Sequence, residues 1–138
     1  MTDFALYSSY APEPVGPYPH ARRVGDLLFL SGVGPRERGT KNIPGVEFDA
    51  NGNILSYDIE TQCRSVFKNV KAILEEAGSG WDKIVDVTVF LTNMKKDFAT
   101  YNRLYAEYFK DNQPCRTTVE VSALPTPIAI EVKVIATM

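Results

Sequence analysis

The arrangement of apolar residues predicts an α+β fold of two layers, a mixed sheet with two helices packed on one of its faces. Three observations lead there. Apolar residues recur every three or four positions over 58–77 and 97–109, the spacing of a single helix stripe. Polar and apolar residues largely alternate over 84–91, 117–121 and 130–134, the period of a strand with two unlike faces. Strands and helices also interleave in the order strand, strand, helix, strand, helix, strand, strand, which suits helices covering one side of a sheet. With 138 residues, 44% hydrophobic and 23% charged, the chain suits one domain over 1–138 with its own core.

Residues 1–19 contain Pro12, Pro14, Pro17 and Pro19 and read as an extended arm, since proline removes donors and breaks helices. Ala21–Val24 and Leu27–Ser31 flank Gly25-Asp26, the spacing of a hairpin with a tight turn. The segment 32–56 is rich in Gly, Pro, Asn and charge and reads as a long loop, with room for a short hairpin around Asn51-Gly52. Loops of this length are often functional, and Arg36, Arg38 and Lys41 give this one a binding role to test.

The first helix stripe runs Ile59, Cys63, Val66, Phe67, Val70, Ile73, Leu74, Ala77, with Ser56 or Asp58 as cap and Gly78 as stop. After Trp81, a strand over 84–91 sets Val85, Val87, Val89 and Leu91 against Ile84, Asp86, Thr88 and Phe90. The second helix starts at Asp97 as cap and carries Phe98, Tyr101, Leu104, Tyr105, Tyr108 and Phe109, which read as core.

The last two strands each carry one ionisable group, Arg116 opening the first and Glu131 inside the second. Leu124-Pro125-Thr126-Pro127 makes the link between them rigid. If the two strands pair as neighbours, guanidinium and carboxylate converge on one end of the sheet. A guanidinium grips a carboxylate through two parallel hydrogen bonds, and a second carboxylate can order or deprotonate water. The plainer alternative is a solvated pair contributing only ~0 to 1 kcal/mol.

A formal charge of −2 offers no field for a phosphate backbone, so nucleic acid is not expected as a partner. No apolar run approaches the roughly 20 residues of a membrane span, and the first residues lack a basic start before an apolar core, so the reading is cytoplasmic. Cys63 falls on a helix stripe, and Cys115 has only His20 in the whole chain to serve as base. No metal site is expected from so few ligands. Apolar residues on the second sheet face, such as Phe90 and Ile135, point to a symmetric oligomer covering that face with copies of itself.

The segments GPYPHA (16–21), LFLSG (28–32), NVKAILEEAG (69–78), VDVTVFL (85–91), FATYNRLYAEYF (98–109), RTTVEVSALP (116–125) and IEVKVIA (130–136) appear in one order and register. Together they resemble the RidA family, also called YjgF, of small enamine and imine deaminases. The resemblance implies a chorismate-mutase-like fold, a homotrimer with pockets between subunits, and no cofactor. It implies that Arg116 clamps a substrate carboxylate, that Glu131 positions the hydrolytic water, and that Tyr18, Ser31 and Asn102 line the pocket. Thr118 stands where many relatives have cysteine.

Two features, the basic run after Tyr18 and the stretched loop GVGPRERGTKNIPG (32–45), resemble the 2-aminomuconate deaminase branch, which serves breakdown of tryptophan or aminophenol-type aromatics. Such a small dicarboxylate needs a second cation, with His20, Arg22, Arg23, Arg36 and Arg38 as candidates and Arg36 or His20 foremost. Alternatives are a general deaminase of 2-aminoacrylate and related 2-imino acids, a non-catalytic binding or chaperone trimer, and, by fold analogy, a chorismate-mutase-type rearrangement.

Overall fold

The computed structural model describes residues 2–138. Eight strands and two helices follow one another as β1 (Phe4–Leu6), β2 (Ala21–Val24), β3 (Leu27–Leu30), β4 (Val46–Phe48), β5 (Ile54–Tyr57), α1 (Ile59–Glu76), β6 (Ile84–Leu91), α2 (Met94–Tyr108), β7 (Cys115–Glu120) and β8 (Ile130–Thr137). Six of them form one mixed sheet in the order β1-β2-β3-β8-β6-β7, and β4 pairs with β5 as a separate hairpin. Both helices lie on one face, as expected.

Helix α1 forms where its stripe predicts. Asp58 caps it, accepting from the Thr61 N–H at 3.3 Å, and Ile59, Cys63, Val66, Phe67, Val70, Ile73 and Leu74 are buried. At the far end Gly78 takes φ +87, and the Ser79 N–H reaches back to the Leu74 carbonyl at 2.9 Å. That left-handed turn is one glycine enters at little steric cost. Facing this stripe are Val87, Val89 and Leu91 of β6 and Ile130, Val132 and Val134 of β8, all buried.

Four expectations change. The arm is not wholly irregular, because Phe4–Leu6 pairs antiparallel with β2 and becomes an edge strand. The second helix begins at Met94, capped by Asn93, whose side chain accepts from the Lys96 N–H at 3.1 Å. Asp97 lies instead inside the helix, 1% exposed, and accepts from the Tyr57 hydroxyl at 2.6 Å. Burial pushes its carboxyl above the usual carboxylate range, with the Tyr57 bond opposing.

In β6 the alternation shifts at an irregularity between Ile84 and Asp86, so that Ile84 is 2% exposed and Val85 42%. The fourth change concerns the site directly. β7 and β8 are not neighbours, for β6 lies between them, parallel to β7 and antiparallel to β8. The β6–α2–β7 crossover explains this, since parallel strands need a helix-length connection.

The other sheet face has no helix over it. Val24, Leu27, Phe29 and Val119 are exposed there.

Candidate functional site

The sequence-predicted residues fall into two groups on different parts of the fold. The first surrounds Glu131. On β8, Glu131 sits opposite Phe90 and out of phase with buried Ile130 and Val132, so it faces the uncovered side of the sheet. Beside it the chain leaving β3 pairs Val33 with Val132 through two backbone bonds, of 2.8 and 2.9 Å. This lays Gly32 against the Glu131 side chain. A Cβ at Gly32 would stand 2.7 Å from Oε2 and 2.9 Å from Cδ, so the carboxylate occupies space that only glycine leaves.

Val15, Tyr18, Gly34, Arg36, Pro125 and Thr126 complete the hollow around Glu131. Burial pushes the Glu131 carboxyl above its ordinary range, and the nearby Lys133 ammonium works against that shift. Lys133 itself donates to the Leu30 carbonyl at 2.9 Å.

Arg36 enters this hollow from a well-fixed turn. The Asn69 amide on α1 donates to the Gly34 and Arg36 carbonyls, each at 2.9 Å, and Ser65 donates to the Pro35 carbonyl at 2.8 Å. The arm holds the turn from the other side, with the Glu13 carbonyl accepting from Arg36 Nη2 at 2.6 Å and the Glu13 carboxylate from the Gly39 N–H at 3.0 Å. This last bond, more than the neighbouring Arg38, keeps the Glu13 carboxyl below the usual range.

His20 takes a different part from the one expected. It is 8% exposed, its Nδ1 accepts from the Ser8 N–H at 2.9 Å, and its Nε2 lies 2.7 Å from the Pro12 carbonyl. A neutral ring protonated on Nε2 fits both contacts, so His20 pins the arm rather than offering a charge to an acid. Arg38 serves the arm as well, donating to the Ser8 and Ala11 carbonyls at 2.9 and 2.8 Å. Arg22 lies on the uncovered sheet face and Arg23 bonds the Gly25 carbonyl at 2.9 Å, neither of them in the hollow. Ser31 lines the space beside it, but its hydroxyl donates to the Pro19 carbonyl at 2.7 Å, which leaves only lone pairs for a ligand.

The second group surrounds Arg116 on β7, an edge strand of the sheet. On β7, Arg116 sits opposite Val87 and so faces α2. Its Nη1 donates to the Asn102 side-chain oxygen at 2.8 Å, and its guanidinium lies 4.6 Å from the Tyr105 ring centroid and 5.5 Å from that of Tyr101. A guanidinium over aromatic faces with one edge tied is held flat, ready to present its other donors. Thr118 completes the shelf, its hydroxyl 2.9 Å from that of Tyr101. Burial pushes the Tyr105 hydroxyl up to about 12, and that hydroxyl has no partner among the described residues.

Arg116 and Glu131 therefore do not meet within one chain. They lie two strands and three registers apart, about 14 Å by ordinary strand spacings, and on opposite faces of the sheet. Gly32, Tyr101 and Tyr105 were not read as site residues from the sequence. The available signal was a tyrosine pair at i, i+4 carrying hydroxyls on an otherwise apolar stripe.

A two-layer domain with a guanidinium held flat at one edge of its sheet and a half-buried carboxyl on an interior strand belongs to the α+β class. More particularly, the chain belongs to the family described as endoribonuclease L-PSP, which matches residues 8–138 and also embraces the RidA, YjgF and RutC proteins. A RutC family protein of Pyrococcus abyssi is 40% identical over 136 residues, spanning 99% of this chain and 98% of that one. The Rid-family protein YyfA of Yersinia pestis superposes with a TM-score of 0.82 at 37% identity, with 99% and 100% of the two chains covered. E. coli TdcF, crystallised with bound serine, superposes with a TM-score of 0.83 at 32% identity and covers 98% of each chain.

Proposed function

We propose that this protein is a cofactor-independent enamine and imine deaminase whose substrate is 2-aminomuconate, hydrolysed to 4-oxalocrotonate and ammonia in the breakdown of aromatic compounds. The observation that carries this reading is the pair of half-sites. A guanidinium held flat by Tyr105 and Asn102 suits a planar carboxylate, and a carboxyl of raised proton affinity suits a base acting on water. Enamine and imine deamination is the activity general to the RidA family.

Because the two groups lie on opposite faces, the working site joins Arg116 of one protomer to Glu131 of another. The uncovered sheet face supports a symmetric homotrimer, with Phe29, Val119 and Leu27 exposed where copies would pack. In this assembly Arg116 grips the carboxylate beside the amino-bearing carbon, a charge-assisted contact of about 1.5 to 3 kcal/mol. Protonation of a chain carbon turns the enamine into an imine. Water ordered by Glu131 adds to the C=N carbon as the carboxylate takes one of its protons. That proton passes to nitrogen to give a carbinolamine, whose hydroxyl proton is then carried by the same carboxylate to nitrogen as the C–N bond breaks and the C=O forms, so that ammonia leaves behind the 2-oxo acid. In this reading Arg36, whose turn is fixed by Glu13 and Asn69, borders the path toward the second acid group.

A second reading is a deaminase of short 2-imino acids, favoured by the serine bound in the related TdcF. Ammonia release from 2-aminomuconate and from the imine of a small amino acid, compared at equal concentrations, separates the two. For either substrate, Arg116→Ala is expected to lower kcat/KM by roughly 10- to 150-fold. Unchanged turnover in that variant removes the clamp from the mechanism.

A further inference from the structure

Beyond the Glu131 hollow, the surface continues into a second cleft that shares Arg36 and Thr126 with it. One side is apolar, formed by Ile43, Phe48 and Pro127, and the other carries Lys41. Neither Arg36 nor Lys41 has a carboxylate partner among the described residues, although other surface arginines do, as Arg64 and Arg103 share Glu60 and Glu107. Lys41 thus borders the cleft with no carboxylate paired to it, while Arg36 is tied to the Glu13 carbonyl and lies near enough to that residue's carboxylate to help hold it below the usual range.

The walls are built before any ligand arrives. The turn bearing Lys41 is closed by the Glu37 N–H on the Asn42 carbonyl at 3.3 Å and the Asn42 N–H on the Thr40 hydroxyl at 3.0 Å. The hairpin bearing Phe48 turns through Gly52 at φ +82, with the Asp49 carboxylate accepting from the Asn51 and Asn53 N–H groups at 2.8 and 3.0 Å. Pre-ordering of this kind lowers the conformational cost of binding.

We infer that this cleft, between the 37–42 turn, the β4–β5 hairpin and the 124–127 link, is a distal subsite for the far carboxylate of an elongated dicarboxylic substrate. Lys41 is its specificity-determining cation, Arg36 stands at its threshold, and Phe48 and Pro127 hold the carbon chain between the two acid groups. The inference rests on the deaminase reading for its orientation, with the reacting carbon toward Glu131, and it is tested without catalysis.

The test is calorimetric titration of the purified protein with hexanedioate and with hexanoate, acids of equal length that differ by one carboxylate. Wild type is expected to bind hexanedioate roughly fivefold more tightly, the scale of one partly exposed charge contact. Lys41→Ala should erase that preference and Lys41→Arg should restore it. Equal affinities in wild type, no measurable binding of either acid, or a preference that survives Lys41→Ala overturns the subsite. If the preference depends on Lys41 but no ammonia is released from any enamine, the subsite stands and the deaminase reading falls. If ammonia release depends on Arg116 while Lys41→Ala changes nothing, the reverse holds.

Discussion

The two half-sites are built by opposite means. Arg116 sits on strand β7, and its supports, Tyr101, Tyr105 and Asn102, all project from α2. Glu131 also sits on a strand, but its surroundings come from Gly32, the 34–36 turn and the proline-rich arm. One side is rigid by packing and the other by a web of backbone hydrogen bonds from the arm. The difference teaches where each side fails, the first when a ring is lost and the second when space or a tether changes.

The largest expected effect tests whether the two sides belong to different protomers. Arg116→Ala and Glu131→Gln are each expected to be nearly inactive, the latter by about 100-fold or more in kcat as befits loss of a general base. Co-refolded in equal amounts, they should regain roughly one quarter of wild-type ammonia release, because one interface in four joins an intact arginine to an intact glutamate. No recovery in the co-refolded trimers places both groups in one protomer's site, against the geometry.

Next in size is Gly32→Ala, whose methyl competes with Glu131 for the same space. Because the obstructing atoms end a flexible side chain, stability should change by less than about 1 kcal/mol while kcat falls about 10-fold. A normal kcat shows that the carboxylate need not lie over Gly32. On the rigid side, Tyr105→Leu should raise KM about threefold by freeing the guanidinium. Tyr105→Phe keeps the ring and removes a buried hydroxyl without a partner, so KM should hold and melting temperature stay level or rise.

The smallest effect concerns pH. Burial raises the folded-state pKa of Glu131 above its unfolded value, so its contribution to stability is full below that unfolded value and is lost as pH rises through the folded one. Glu131→Gln carries no such loss. Its melting temperature should match wild type at about pH 4 and equal or exceed it at about pH 7. A variant less stable than wild type at neutral pH and equal at acid pH contradicts the desolvated carboxyl.

Local patterns carried much of this fold and less of its site. Helix α1 was legible because eight apolar residues share one stripe between Asp58 and Gly78. The start of α2 was not, because Asn93 and Asp97 are both good caps, and only the fold shows Tyr57 claiming Asp97 from 40 positions away. β1 has too few residues to show a period, and its identity as a strand depends on β2.

The side chemistry of Arg116 and Glu131 could be read from the types of residue involved. Their placement on opposite faces could not, because strand order is set by the β6–α2–β7 crossover rather than by any pattern within β7 or β8. The tether formed by His20 was illegible for a related reason, since its two partners are backbone atoms of the arm, which leave no trace in side-chain identity.

The link between β7 and β8 borders both the Glu131 hollow and the cleft beyond it, through Thr126. Its downstream end is pinned, the Ala129 N–H to the Gln62 side chain at 2.9 Å and the Ala129 carbonyl to the Thr92 N–H at 3.2 Å. Residues 124–127 thus form a replaceable cassette between fixed anchors. Recutting those four positions would reshape both spaces at once while leaving the strands that carry Arg116 and Glu131 untouched.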